Sequence, residues 1–200
     1  MSDLPLAEYR QKSHQTAIAE QERANSQRVY AVLFELLQTS GVAQISLQQI
    51  SKLSGISRTT LYRRWPSVDA LILDAIADRV PAEIQLQPEM EARQAFSLML
   101  HQLAYFLSSS LGRAFLKASL SIEDDISLQK RDALWQQRYQ QITEIFQRLA
   151  PDHPNLDTVI CMTLGSFYFQ IFIRNEPADQ PFIQSIVRSA QHLLQAKGDQ

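Results

Sequence analysis

Apolar residues recur along this chain at spacings of three and four. Val29, Val32, Leu33, Leu36 and Leu37 fit the i, i+3, i+4, i+7, i+8 stripe of a one-sided helix, and Gly41 supplies a stop. A second segment opens with Ser46-Leu47-Gln48-Gln49, a capping box in which the serine hydroxyl accepts a helix amide and Gln49 reaches back. Leu47, Ile50 and Leu53 give this short helix one apolar face, and Gly55 ends it. Ser57 caps the next helix, which stops before Pro66 because the residue preceding proline avoids the α region. Ile56 and Leu61 are expected to face inward. Ser67 caps a fourth helix, with Asp69 in its first turn and Val68, Leu71, Ile72, Ala75 and Ile76 as its apolar set.

The segment Pro81–Pro88 reads as a linker, and five further helices are predicted beyond it. Their stripes are Phe96, Met99, Leu100, Leu103 and Leu107; Leu111, Ala114, Phe115 and Ala118; Trp135, Tyr139, Ile142, Phe146 and Leu149, ended by Pro151; Leu156 to Ile173; and Ile183, Ile186, Val187, Ala190 and Leu194. The Leu156–Ile173 run is apolar almost all round, which predicts a helix buried on several sides. Asp157, Thr163 and Gln170 interrupt it, so it is read as a core helix rather than a membrane span. No stretch shows a strand pattern. The expected fold is all-α, about nine helices. A three-helix N-terminal unit over residues 24–80 precedes a helical domain over 81–200. Residues 1–23 form a polar extension that either lengthens the first helix or hangs as an arm.

Composition agrees. The 45% apolar content supports a packed core, and five glycines with eight prolines favour helix over turn-rich sheet. Cys161 is the single cysteine, so no intrachain disulfide forms, and the N-terminal stretch has no apolar signal core. The chain therefore reads as cytoplasmic. Cys161, inside an apolar run, reads as an inert buried thiol. Charge changes the picture more. The net of −2 divides into eight basic and five acidic residues in 1–68, and eleven basic and sixteen acidic in 69–200. Ser46 to Pro66 holds Lys52, Arg58, Arg63 and Arg64 and no acid. A split of this kind points to a polyanion met at one end only.

Two short capped helices around a glycine turn make a helix-turn-helix. Its second helix leaves Arg58, Thr59, Thr60, Tyr62, Arg63 and Arg64 for the outer face and the ends. Such a helix fits a DNA major groove, where arginine forks onto guanine and threonine meets bases or phosphate. Ser46 and Ser57 cap helix N-termini whose amides suit phosphate oxygens. Trp65 is expected to pack in the core rather than stack on bases.

The run SLQQISKLSGISRTTLYRRWPSVDALILDAI, Ser46 to Ile76, resembles the DNA-binding domain of the TetR family of bacterial transcriptional regulators. One position departs from it: Val68 stands where the family usually has a phosphate-touching lysine. The resemblance implies an Ω-shaped homodimer on a near-palindromic double-stranded operator, and a repressor released by a small molecule. It implies a four-helix interface from the last two helices of each subunit, here assigned to Phe167, Ile171, Ile183, Ile186, Val187, Ala190 and Leu194. It also implies a pocket between the middle helices for a small hydrophobic or aromatic effector, with His101, Tyr105, Trp135 and Tyr139 as its candidates.

Other chemistry is not called for. His14, His101, His153 and His192 are scattered without metal-ligand spacing, so neither metal nor cofactor is expected. Ser127-Leu128-Gln129-Lys130 spells a hydrolase motif but lacks its companions. Glu123-Asp124-Asp125 is either a solvated loop or a helix start. Two other functions stay open: a constitutive DNA-binding or adaptor protein without effector, and an enzyme or carrier built on the C-terminal helices.

Overall fold

Serine side chains punctuate the first third of the chain, and the helices follow them. The computed structural model describes residues 6–39, 44–79 and 89–195. These form nine α-helices and no strand: α1 Leu6–Thr39, α2 Leu47–Ser54, α3 Arg58–Arg64, α4 Val68–Arg79, α5 Ala92–Ser108, α6 Ser110–Ser121, α7 Asp125–Leu149, α8 Leu156–Tyr168 and α9 Gln180–Gln195. Ser46, Ser57 and Ser67 each accept the amide three residues on, at 3.2, 3.2 and 3.0 Å. Trp65 is extended ahead of Pro66 and closes α3. The polar N-terminal stretch lengthens α1, which runs unbroken from Leu6. Gly41 and the Pro81–Pro88 segment lie outside the described residues.

The chain divides into two compact units, Met1–Leu71 and Ile72–Gln200, so the division falls within α4 rather than after it. In the first unit, α1 buries Val29, Tyr30, Leu33, Leu36 and Leu37, α2 buries Leu47 and Ile50, and α3 buries Leu61. Trp65 is 3% exposed and meets Tyr30 edge-on at 5.9 Å. Leu53 departs from expectation at 57% exposure. The inward direction set by Leu47 and Ile50 continues to Ser54, one residue and about 100° further on.

The second unit has its core between α5, α7, α8 and α9, with Phe96 against Phe146 at 4.9 Å and Phe167 against Phe182 at 5.4 Å. Asp124 caps α7, accepting the Ser127 amide at 2.9 Å, so the acidic run is a helix start. That amide, then the Ser127 hydroxyl, holds the Asp124 carboxyl below its ordinary 3.8. Ser127 is buried and Lys130 pairs with Asp74 at 3.2 Å, so the SxxK string serves structure. After Tyr168 the helix widens into a π turn, Phe169–Ile173, and Asn175 at φ 54° ends it in the left-handed conformation that asparagine tolerates. The buried Gln170 amide donates to Glu176 and to the Pro177 carbonyl there.

Candidate nucleic-acid interface

Gly55 sits between α2 and α3 at φ 70°, where a side chain is strained, and its amide donates to the Ser51 carbonyl at 3.0 Å. Three side chains knit the turn. The Ser51 hydroxyl donates to the Ile56 carbonyl at 2.7 Å, Ser54 Oγ accepts the Ile56 amide at 3.3 Å, and Arg28 Nη2 donates to the Ser54 carbonyl at 2.7 Å. Arg28 therefore ties α1 to the C-terminal end of α2. Its role escapes the sequence reading because 26 positions separate the partners, and no periodicity reports such a contact.

Positions four apart on a helix share a direction to within about 40°. Leu61 and Trp65 share the buried one, at 0% and 3% exposure. Thr59 and Arg63 lie opposite and form the crest of α3. Arg58 and Tyr62 form one flank, Thr60 and Arg64 the other. Arg58, Thr59, Tyr62 and Arg63 are exposed, and their side chains bond to no other described residue. Arg64 differs. Its Nη1 donates to the Glu22 carbonyl at 3.3 Å, and its guanidinium lies 4.9 Å from the Trp65 ring centre. Ser46 and Ser57 spend their hydroxyl oxygens as helix caps, and Ser57 also shares a 2.9 Å hydrogen bond with the Thr60 hydroxyl.

The four pocket candidates have different surroundings. Tyr105 stands 83% exposed on the surface, so it cannot line an enclosed cavity. His101 is tied to the Ser97 carbonyl and to Gln180 Oε1, at 2.7 and 3.0 Å. The Tyr139 hydroxyl donates to Asp157, and burial with that bond raises its pKa. Trp135 joins a different group, packing 5.3 Å from Phe115, which lies 5.9 Å from Phe106. Arg138, one helical turn from Trp135, is partly buried, which lowers its pKa.

Most of the residues assigned to the interface are buried within their own chain. Phe167, Ile171, Ile183, Ala190 and Leu194 are between 0% and 8% exposed, inside the core of their own chain, and Ile186 and Val187 are half-buried. The helix from Leu156 onward is buried on one side only. Its outer side carries Cys161, which is exposed rather than buried, with Met162, Phe169 and Ile173 at 56%, 57% and 71% exposure. Leu156–Ile173 is long and apolar enough to cross a bilayer, but its inner side supplies Val159, Ile160, Phe167 and Ile171 to the core.

A capped helix-turn-helix with a basic outer face, on an otherwise helical chain, defines a class of DNA-binding regulators. Comparison with known proteins agrees. The chain is 23% identical over 162 residues to the HTH-type transcriptional regulator AqdR of Rhodococcus erythropolis, covering 78% of this chain and 77% of that protein. Its fold matches the crystal structure of a TetR transcriptional regulator from Rhodococcus sp. RHA1, with a TM-score of 0.65, 18% identity, and coverage of 90% of this chain and all of that one. No family model matches the chain. The resemblance carried by Ser46–Ile76 is thus joined by likeness in sequence to an HTH-type regulator and in fold to a TetR regulator.

Proposed function

We propose that this chain represses transcription by binding a near-palindromic operator as a homodimer, in the cytoplasm, and leaves the operator when a small apolar or aromatic molecule binds its C-terminal unit. The observation that carries DNA binding is the crest and flank of α3. Arg58, Thr59, Tyr62 and Arg63 are exposed and bond to no other described residue, on a helix capped by Ser57 and entered through a turn that Arg28 clamps. Thr59 and Arg63, opposite the buried side, reach deepest and read bases, and the flanks meet the two phosphate walls.

The outer face of α8 and of the π turn that extends it supports self-association. Met162, Phe169 and Ile173 expose three large apolar groups on one side, and such a patch marks an interface. A methyl group added at Gly165, between them, meets nothing within 4 Å, so a partner helix can approach the backbone there. The face is about 25 Å long and, with α9 beside it, about 20 Å wide. Its footprint of about 500 Å2 is smaller than the ~800 Å2 each partner buries in a standard interface, so flanking residues would add to it. The Phe106–Phe115–Trp135 ring group, with two rings partly exposed, is the apolar wall offered to an effector.

The test is selection of duplexes from a random pool, then titration of the selected duplex with and without a library of small aromatic compounds. Enrichment of an inverted repeat, and loss of binding when a compound also quenches Trp135, support the reading. Failure to enrich any sequence sinks the DNA-binding part. Enrichment with no releasing compound leaves a constitutive regulator.

A further inference from the structure

Between α1 and α3 the first unit is indented by a cleft of about 290 Å3. Its floor includes Ile56 and Trp65, and its rim carries Thr60 and Arg64 from α3 with Glu22 and Asn25 from α1. The cleft opens on the flank that bears Thr60 and Arg64. A helix ~10–12 Å across nearly fills a major groove ~12 Å wide, so its flanks lie against the phosphates that wall the groove. We propose that one backbone phosphate of the bound DNA seats in this cleft, held jointly by Arg64 and Thr60 of the recognition helix and by Asn25 of α1. The inference rests on the DNA-binding reading above and adds α1 as a second contacting helix.

Each donor is prepared for an anion. Arg64 is pre-oriented by the Glu22 carbonyl and the Trp65 ring, and one of its five N–H donors is spent on that carbonyl. The rest are available, and the ordering of a long side chain precedes DNA binding. Asn25 Oδ1 accepts from Gln21 Nε2 at 3.2 Å, which leaves the Asn25 amide group to donate elsewhere. Ser57 Oγ accepts the Thr60 amide, and either hydroxyl can donate across their 2.9 Å contact; with Ser57 as the donor, the Thr60 hydrogen is free for the phosphate. Arg63 adds a second positive charge to the lining. Glu22 is its one acid, and it opposes the phosphate. Its charge lowers affinity for every sequence alike.

The experiment titrates the full chain against a selected duplex and a random duplex over a salt series. Glu22→Gln should tighten binding to both by about threefold, through removal of a like charge near the phosphate. Asn25→Ala should weaken both by about fivefold, the loss of one hydrogen bond. Arg64→Gln should flatten the salt slope by about one. Equal effects on the two duplexes are the signature, because a phosphate contact carries no sequence information. Arg64→Gln also disturbs the Trp65 contact, so thermal melts accompany it, and the Glu22 and Asn25 variants decide the matter if it is unstable. Unchanged affinity and slope in those two variants, with sequence preference lost in Arg63→Ala, would overturn the cleft and leave DNA reading by α3 intact. No effect from either set would overturn both.

Discussion

Replacing Gly55 by alanine tests the turn that aims the recognition helix. The residue sits at φ 70°, where a Cβ costs about 1–2 kcal/mol. The added methyl would also lie 3.2 Å from Arg28 Nη2, the atom that donates to the Ser54 carbonyl at 2.7 Å. Pushing the guanidinium aside forfeits a further ~1 kcal/mol. Alanine restricts the unfolded chain and returns ~0.5–1 kcal/mol. The net loss is about 2 kcal/mol, or about 4–8 °C in melting temperature for a chain of this size. Circular dichroism melts and denaturant midpoints at constant slope measure it. Gly55→Asn should lose about half as much, since asparagine tolerates the left-handed region. A double-mutant cycle with Arg28→Ala isolates the clamp: once Arg28 is gone the alanine has nothing to displace, so the losses should fall short of additive by ~1 kcal/mol. A Gly55→Ala protein that melts with the wild type refutes the strain argument. Strict additivity refutes the role given to Arg28.

Three more outcomes are expected. Arg63→Ala and Thr59→Val should each cost about 1–3 kcal/mol on the selected duplex and relax sequence preference, whereas Tyr62→Phe should weaken all duplexes alike and leave the salt slope unchanged; titrations at several salt concentrations separate the two. Met162→Lys with Phe169→Lys should give folded monomers by light scattering, while Ala190→Glu, placed at a position 2% exposed, should unfold the chain by burying a charge. Asp124→Ala should lower the melting temperature at neutral pH. The folded-state value at Asp124 is depressed, so its contribution is present above the ordinary 3.8 and is lost as pH falls through the folded value. The gap to wild type should therefore close in acid, and a gap that persists there would mean the carboxylate charge is not what stabilises α7.

Local chemistry was legible in the sequence and long-range chemistry was not. Ser46, Ser57 and Ser67 cap helices because the capping bond spans three residues, and Gly55 turns because its neighbours on both sides commit to helices. The five stripes after residue 88 return as α5 to α9. The start of α7 was not visible, because its first ten residues have no stripe and Ile126 is 70% exposed; only the Asp124 cap marks it. Leu53 misled because a spacing of three fits a helix face as well as the spacing of seven that links Leu47 to Ser54. In α3 the residue types were readable, but their division into crest and flanks needed to know which side Leu61 and Trp65 bury. The engagement of Arg64 with Glu22 spans 42 positions and leaves no trace in the pattern.

The apolar run from Leu156 shows why hydrophobicity alone could not place the interface. Periodicity reports how much of a helix avoids water, and does not report whose atoms do the covering. Here two apolar sides alternate within a few residues. Phe167 and Ile171 are buried by their own chain at 0% and 1%, while Phe169 and Ile173, each two residues further on, are 57% and 71% exposed. α9 has no such second side, since its outward positions Gln184, Ser185, Arg188, Ser189 and His192 are polar. Of these two helices, α9 gives its stripe to the single-chain core, whereas the run from Leu156 gives one side to it and keeps the other as apolar surface for the proposed partner. Adjacent substitutions should then fail differently. Ile171→Asp removes the fold, because a carboxylate buried without a partner costs several kcal/mol. Ile173→Asp leaves the monomer folded and weakens association, read as a melting temperature that no longer rises with protein concentration. Equal loss of folding in both variants would place Ile173 in the core and leave the dimer without its apolar face.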